Sequence, residues 1–183
     1  DEWVVEAEKR GLPNIKSMIE AASTLTSEKA VALFEKFGIY TKAELESREE
    51  IIYETYAKTI NIEALTMIDM AGKQIIPAVV KYTKTLADTA NAIKAAGGDA
   101  SVQTELLADV STKLAAMQKE LNKLVADEKE ASAMEDVKAQ AFFYKDTIKA
   151  TMDELRKPAD ELEMIVDKDV WPIPTYGELM FEV

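Results

Sequence analysis

Apolar residues spaced three and four apart run without a gap from Ile52 to Ile93. Over such a length, an amphipathic α-helix is the regular structure that gathers them on one side. The stripe is Ile52, Tyr56, Ile60, Ala64, Met67, Ala71, Ile75, Val79, Tyr82, Leu86, Ala90 and Ile93. A start signal precedes it. Thr41-Lys42-Ala43-Glu44 is a capping box, in which Thr41 accepts the backbone N–H of Glu44 and the Glu44 carboxylate returns to the Thr41 N–H. Gly97-Gly98 supplies the stop, because glycine takes the left-handed conformation of a helix end. Pro77 lies inside the pattern, where it removes a backbone hydrogen bond and crowds the preceding turn at a cost of about 3 kcal/mol. A kink is therefore expected between Gly72 and Pro77.

Two more helices follow from the same period. Ser101 to about Ala126 carries Leu106, Val110, Leu114, Met117, Leu121 and Leu124 on one face. Ser132-Ala133-Met134-Glu135 reads as a second capping box, opening a helix with the stripe Met134, Val137, Ala141, Tyr144, Ile148, Met152 and Leu155. These two make an antiparallel hairpin that covers part of the long helix. A last helix is predicted after Pro158, bearing Leu162, Ile165 and Val166. The opening reads as short helices punctuated by Gly11-Leu12-Pro13 and Gly38, with apolar positions at Ile15, Met18, Ile19, Val31, Leu33, Phe34 and Phe37. The predicted fold is all-α: a long kinked helix and a helical hairpin in a four-helix-type bundle, with short flanking helices and an extended C-terminal tail. Its divisions are a connector over 1–40, a bundle over 41–170 and a docking tail over 171–183. No internal repeat or low-complexity linker interrupts them.

Composition removes many functions. The 22 Lys and Arg are outnumbered by 34 Asp and Glu, a formal charge of -12, so nucleic acid and anionic membrane surfaces are repelled rather than attracted. No apolar run approaches the roughly 20 residues that cross a bilayer, since charges flank even Gln74 to Val80; the chain reads as soluble. It has no Cys and no His, which excludes disulfides, thiol chemistry, Ser-His-Asp and Cys-His sites, imidazole zinc sites and the Glu-x-x-His pairs of di-iron bundles. Asp1 is not a start residue, and the first turn lacks the pattern of a signal peptide. The chain reads as beginning inside a longer one.

The remaining candidates are carboxylates, methionines and aromatics. Glu44, Glu46, Glu49, Glu50 and Glu54 suggest a cation cluster, but acids at a helix start meet the positive end of the dipole, and a solvated face explains them. Glu63 and Asp69 interrupt the apolar stretch Ile60 to Met70; six residues apart, they point about 120° away from each other, so pairing with Lys58 or Lys73, or exposure, is expected. A small metal-using bundle built on them is the weakest alternative. Met67, Met70, Met117, Met134 and Met152 read as adaptable core filler, with a Met-rich binding groove as the minority alternative. Gly97-Gly98 lacks the spacing of a phosphate loop. No catalytic, cofactor or metal residue is assigned.

The tail is a different matter. Trp171-Pro172-Ile173-Pro174 forbids a regular helix at first, and Trp171, Ile173, Tyr176, Leu179 and Phe181, with Met180, are too apolar for a free terminus. Those five residues are the candidate interface. They cover either their own bundle or another domain or subunit, where aromatic anchors dominate interface energy.

Lys58-Thr59-Ile60-Asn61-Ile62-Glu63-Ala64-Leu65-Thr66-Met67-Ile68-Asp69-Met70-Ala71, continuing through Gln74-Ile75-Ile76-Pro77-Ala78-Val79, resembles the C-terminal region of the type III glutamine synthetases. So does the ending, Asp160-Glu161-Leu162-Glu163-Met164-Ile165-Val166-Asp167-Lys168 and then Trp171-Pro172-Ile173-Pro174-Thr175-Tyr176-Gly177 to Val183. The opening Asp1-Glu2-Trp3 with Glu6 to Leu12, and Ala32-Leu33-Phe34-Glu35, also look like the family, whereas Asp99 to Lys138 is matched only in helical character. The resemblance implies a parent ligase that joins glutamate and ammonia using ATP with Mg²⁺ or Mn²⁺, in a large cytoplasmic homo-oligomer. It implies that the catalytic groups lie upstream. The partners it implies are that upstream catalytic domain and neighbouring subunits. The competing reading is a stand-alone helical module that scaffolds other proteins.

Overall fold

The computed structural model describes residues 2–181. Asp1 of the connector and Glu182 and Val183 of the tail lie outside the described residues. Among the described residues all regular structure is helical: α1 (Glu2–Lys9), α2 (Met18–Ala22), α3 (Glu28–Lys36), α4 (Lys42–Met70), α5 (Ile76–Ala95), α6 (Ser101–Ser132), α7 (Val137–Phe143), α8 (Lys149–Glu163) and α9 (Tyr176–Phe181). Two π turns, Ala71–Ile75 and Tyr144–Ile148, join α4 to α5 and α7 to α8. The chain divides into two compact units, and the division falls inside α4: Asp1–Thr59 with Met134–Phe143, and Ile60–Ala133 with Tyr144–Val183.

In the first unit, α2 and α3 start at Ser17 and Ser27, whose hydroxyls accept the N–H groups of Glu20 and Ala30. The expected capping box opens α4: the Thr41 N–H donates to Glu44 Oε2 at 2.8 Å and the Glu44 N–H to Thr41 Oγ1 at 3.3 Å. The hydrogen bonds from the backbone and hydroxyl of Thr41 hold the Glu44 carboxyl below its ordinary pKa. One core cluster holds Ile19, Ala22, Tyr53 and Ala141, with Ile52, Tyr56, Val137 and Phe142 packed around them; Ala7, Leu45 and Ala57 of this unit are buried as well. The rings of Tyr53 and Phe142 tilt against one another at 6.2 Å.

The second unit holds the rest of the long stripe, and it is dense. Ile60, Ala64, Ala71, Ile75, Val79, Leu86 and Ala90 are all buried. The helical path is interrupted where Pro77 predicts, and the π turn is the form that the interruption takes. The Ile76 N–H donates to the Ala71 carbonyl five residues back, a wider loop than the α-helical one. Pro77 then falls in the first turn of α5, directly after that wider loop. Stripe spacings of four from Met67 through Val79 fit the extra residue. The Tyr144–Ile148 turn contains neither proline nor glycine, and the sequence gives no sign of it.

α5 ends in a Schellman motif, with Gly97 at φ +79°, the Gly98 N–H on the Ile93 carbonyl at 2.9 Å and the Gly97 N–H on that of Lys94 at 3.0 Å. The chain then reverses into α6, which packs on α5 and α8. Two cross-links register α6 against α8: Thr151 Oγ1 donates to Asp127 Oδ2 at 2.7 Å, and Lys113 lies 3.8 Å from Glu161. Their partners advance in opposite directions along the two helices, which makes the pair the antiparallel hairpin expected.

Two sequence expectations are corrected. Ser132 does not cap a helix: it ends α6, with its hydroxyl donating to Glu128 at 2.5 Å, and Asp136 caps α7 by accepting the Ala139 N–H at 2.6 Å. An aspartate at that position outcompetes a box whose serine already belongs to a helix. Nor does a new helix begin after Pro158, which lies inside α8. Thr151, Leu155, Pro158 and Leu162 form one buried stripe there, and burying it offsets the roughly 3 kcal/mol that an internal proline costs.

Candidate docking surface

After α8 the chain turns back over its own unit. The amides of Val170 and Trp171 donate to the Asp167 carbonyl at 2.9 and 3.0 Å, and Trp171 is buried, 8% exposed. The indole N–H is enclosed without a hydrogen-bond partner, so apolar burial is what holds it. Ile173 is half-buried. These two candidate interface residues therefore lie on their own bundle, next to Ile75 and Ala159.

The remaining three sit on α9, a short helix absent from the sequence reading. Its signal was present: Thr175-Tyr176-Gly177-Glu178 is a capping box directly after the last proline. The Thr175 N–H donates to Glu178 Oε2 at 2.8 Å, and the Glu178 N–H to Thr175 Oγ1 at 3.2 Å. Lys168 pairs with Glu178 at 2.9 Å; that ammonium first, and the Thr175 N–H next, lower the Glu178 carboxyl to a pKa of about 2. Tyr176 is clasped to α8 three ways. Its N–H donates to Glu163 at 2.8 Å, its hydroxyl to Asp160 at 3.3 Å, and Arg156 donates to the same hydroxyl. Beyond this clasp Leu179, Met180 and Phe181 are 69%, 74% and 80% exposed.

Tyr176 and Ile173 also help to line a groove of about 510 Å³ in the same unit. Met67, Met70, Met117 and Met152 line it, with Ile62, Ala71, Ile75 and Leu155 and the polar residues Glu63, Arg156 and Asp160. The methionines are divided: Met117 is core filler at 1% exposure, whereas Met67, Met70 and Met152 are only partly covered. The groove that the sequence reading held as a minority alternative is present as geometry.

The carboxylates separate as well. Asp69 pairs with Lys73, and Lys58 with Glu54; Glu63 is exposed. Glu44, Glu46, Glu50 and Glu54 are exposed as expected of a solvated face, but Glu49 is not. It is buried beside the core of the first unit, where it accepts the Tyr53 hydroxyl at 2.6 Å with Lys138 at 3.5 Å. Burial by itself raises the Glu49 pKa, but hydrogen bonds from Thr26 and Tyr53 and the charge of Lys138 outweigh it and hold the carboxyl below its ordinary value. Burial and the Glu49 carboxylate push the Tyr53 hydroxyl well up. Glu49 was missed because, beside the local Tyr53, its other partners Thr26 and Lys138 come from distant segments. Among the described residues, no three His, Cys, Asp or Glu side chains converge to hold a metal ion, and no helix is long and apolar enough to cross a membrane.

A family model described as the glutamine synthetase C-terminal domain matches residues 1–94. Over its whole length the chain is 40% identical to a glutamine synthetase of Butyrivibrio fibrisolvens, of which it covers 26%. It is 32% identical to a type-3 glutamine synthetase of Dictyostelium discoideum, with 98% of this chain and 25% of that protein aligned. It is 29% identical to a glutamine synthetase of Bacteroides fragilis, with 99% of this chain and 26% of that protein aligned. The chain thus spans about a quarter of the length of the curated relatives it matches.

Proposed function

The chain belongs to the glutamine synthetase C-terminal domain family, and on that premise we propose that it is the helical end of a cytoplasmic ligase joining glutamate and ammonia, with a role in assembling the homo-oligomer rather than in its chemistry. ATP and Mg²⁺ or Mn²⁺ are used by the upstream part of that ligase. The donor set of this chain does not fit either metal: it has no His and, among the described residues, no group of three carboxylates that could hold an ion. No catalytic step is assigned to it.

The observation that carries the assembly role is the distribution of uncovered apolar side chains. Single exposed apolar residues are ordinary, and the support for the reading is how many large ones fall on the short helices at the two ends of the chain. Trp3, Val4 and Val5 on α1, Leu33 on α3 and Phe37 and Ile39 just after it are exposed, as are Leu179, Met180 and Phe181 on α9. Large apolar and aromatic residues of this kind anchor interfaces. The N-terminal set faces the upstream catalytic domain, and the C-terminal set serves a neighbouring subunit.

The test is deletion of the residues equivalent to 171–183 from the complete synthetase, followed by sedimentation velocity and single-turnover kinetics. The expected result is a smaller or heterogeneous assembly whose remaining competent sites keep their rate of chemistry. Unaltered assembly would overturn the tail's role. A chemical step slowed in intact oligomers would overturn the non-catalytic assignment.

A further inference from the structure

We propose that Met152 is a peroxide-sensitive modification site, whose sulfoxide takes Arg156 from Tyr176 and so releases α9 and its tip from the bundle. The release is a property of this chain by itself; its consequence for an oligomer rests on the assembly reading.

The first argument is which sulfur the structure can sense. The chain has no Cys, so its oxidisable sulfur is methionine. Met18, Met164 and Met180 are 56%, 83% and 74% exposed, and an oxygen added to any of them enters water. Met117 is shielded at 1% exposure. Met67, Met70 and Met152 are partly covered and share the groove. An oxygen added there makes an apolar surface polar.

The second argument is a ladder on α8. Met152, Arg156 and Asp160 are spaced by four, so each neighbours the next across one turn, and all three line the groove. Arg156 is the cation among the described lining residues. It meets Asp160 at 3.2 Å and donates to the Tyr176 hydroxyl. Of the three groove sulfurs that are partly covered, the one on α8 is thus a turn away from the group that clasps the tail.

The third argument is which bond yields. Arg156 to Asp160 joins two charges, whereas Arg156 to Tyr176 joins a charge to a neutral phenol, the weaker kind. A sulfoxide oxygen, with its large partial negative charge, is a better acceptor than a phenol oxygen. Arg156 therefore keeps Asp160 and exchanges Tyr176 for the sulfoxide. Tyr176 is left with its N–H on Glu163 and a hydroxyl bond of 3.3 Å to Asp160. The capping box and the Lys168–Glu178 pair lie within the tail itself, so they keep α9 folded without tying it to α8.

The oxidant is hydrogen peroxide. The thioether sulfur gives an electron pair to one peroxide oxygen, an S–O bond forms as the O–O bond breaks, and the second oxygen leaves as water. Methionine loses two electrons and peroxide gains them; a sulfoxide reductase reverses the change.

The test uses the full chain with Met180→Leu, which removes the sulfur on α9 itself. During peroxide treatment, sulfoxide at each methionine is followed by peptide mass spectrometry and opening by amide exchange in α9. Exchange is expected to rise several-fold in proportion to Met152 sulfoxide and to fall back after sulfoxide reductase. Adding Met152→Leu, similar in volume and still apolar, removes the rise, and adding Met164→Leu leaves it. Should Met152→Leu disturb folding, the proportionality along the time course carries the decision. Arg156→Gln loosens α9 before oxidation and leaves oxidation nothing to add. An α9 that stays protected with Met152 converted, an equal rise in Met152→Leu, or a Met152 that stays reduced after Met164 is fully converted would each overturn the switch. A complete synthetase that assembles normally without its tail overturns the assembly reading and leaves the switch standing.

Discussion

The two units of this chain are built from the same kind of sequence and differ in how much of it they bury. In the second unit, the stripes of α5 and α8 close on that of α6, leaving Val79, Val110, Leu124, Ile148 and Leu162 without exposed surface. In the first, short helices carry comparable apolar residues, but of the seven named in the sequence over 15–37 only Ile19 is buried. Long helices present successive turns to one neighbour, whereas a helix of eight or nine residues offers two turns and buries little. The difference teaches that apolar content does not measure core. The second unit is stabilised by its own packing, while the first leaves most of the apolar side chains of its short helices exposed.

The sharpest way to break this comparison is to remove matched side chains. Leu124→Ala opens a cavity in a fully covered site and is expected to cost about 2–5 kcal/mol, read as a lower urea midpoint with an unchanged slope. Phe37→Ala, at a 65% exposed position, is expected to stay within about 0.5 kcal/mol in this chain, yet to weaken the complete oligomer. Equal losses at both sites would erase the distinction.

The next largest effect concerns Glu49, the one buried charge among the described residues of the first unit. Tyr53→Phe removes a hydrogen bond to the enclosed Glu49 carboxylate, a loss of about 1–3 kcal/mol. It should appear as faster amide exchange in α2 and α7, with α6 unaffected. The pH dependence follows from the same carboxylate. Its folded pKa is lowered, so its stabilisation is complete above the ordinary glutamate range and is lost as pH falls through the folded value. Exchange protection in α7 should therefore drop on acidification, and Glu49→Gln should remove that dependence. Acid protection that is unchanged by Glu49→Gln would show that the node contributes nothing.

These residues also show what the sequence made legible. Periodicity gave the all-α fold, the stripe from Ile52 to Ile93 and the α6/α8 hairpin, because each depends on spacing within one segment. The Thr41 box and the Gly97 stop are likewise local. Glu49 was read as solvated and Pro158 as a helix boundary because their environments are set by residues far away in sequence: Thr26 and Lys138 around the first, and the buried face of α8 around the second. The Thr175 box was overlooked for a different reason, since the prolines before it suggested extended chain. Of the five candidate interface residues, sequence alone could not separate Trp171, which lies on its own bundle, from Phe181, which does not.

Helix ends compare the units at smaller scale. Gly38 and Gly97 both have positive φ and close Schellman motifs. Alanine at either position meets no neighbour and pays only the left-handed backbone strain, about 1–2 kcal/mol. With cooperative packing in the second unit, Gly97→Ala should lower the global unfolding midpoint. Gly38→Ala should show as local opening of α3, read by hydrogen exchange. A global shift from Gly38→Ala would mean that the first unit unfolds together with the second.

The smallest expected effect lies at the tail clasp, and it separates anchoring from packing within the second unit. Glu178 has its carboxyl lowered to about 2 by Lys168 and Thr175. A lowered folded pKa stabilises α9 above the ordinary glutamate range near 4.5 and loses that contribution as pH falls towards 2. Because the group is exposed and the ion pair is screened by salt, the global midpoint should not move. Amide exchange in α9 should instead rise between pH 4.5 and 2, and rise earlier in Lys168→Met, while Trp171, held by apolar burial, keeps its fluorescence maximum. If Trp171 fluorescence shifts in step with α9 exchange, the buried indole and the clasp open as one element. In that case the tip cannot be presented to another subunit without uncovering the bundle beneath it.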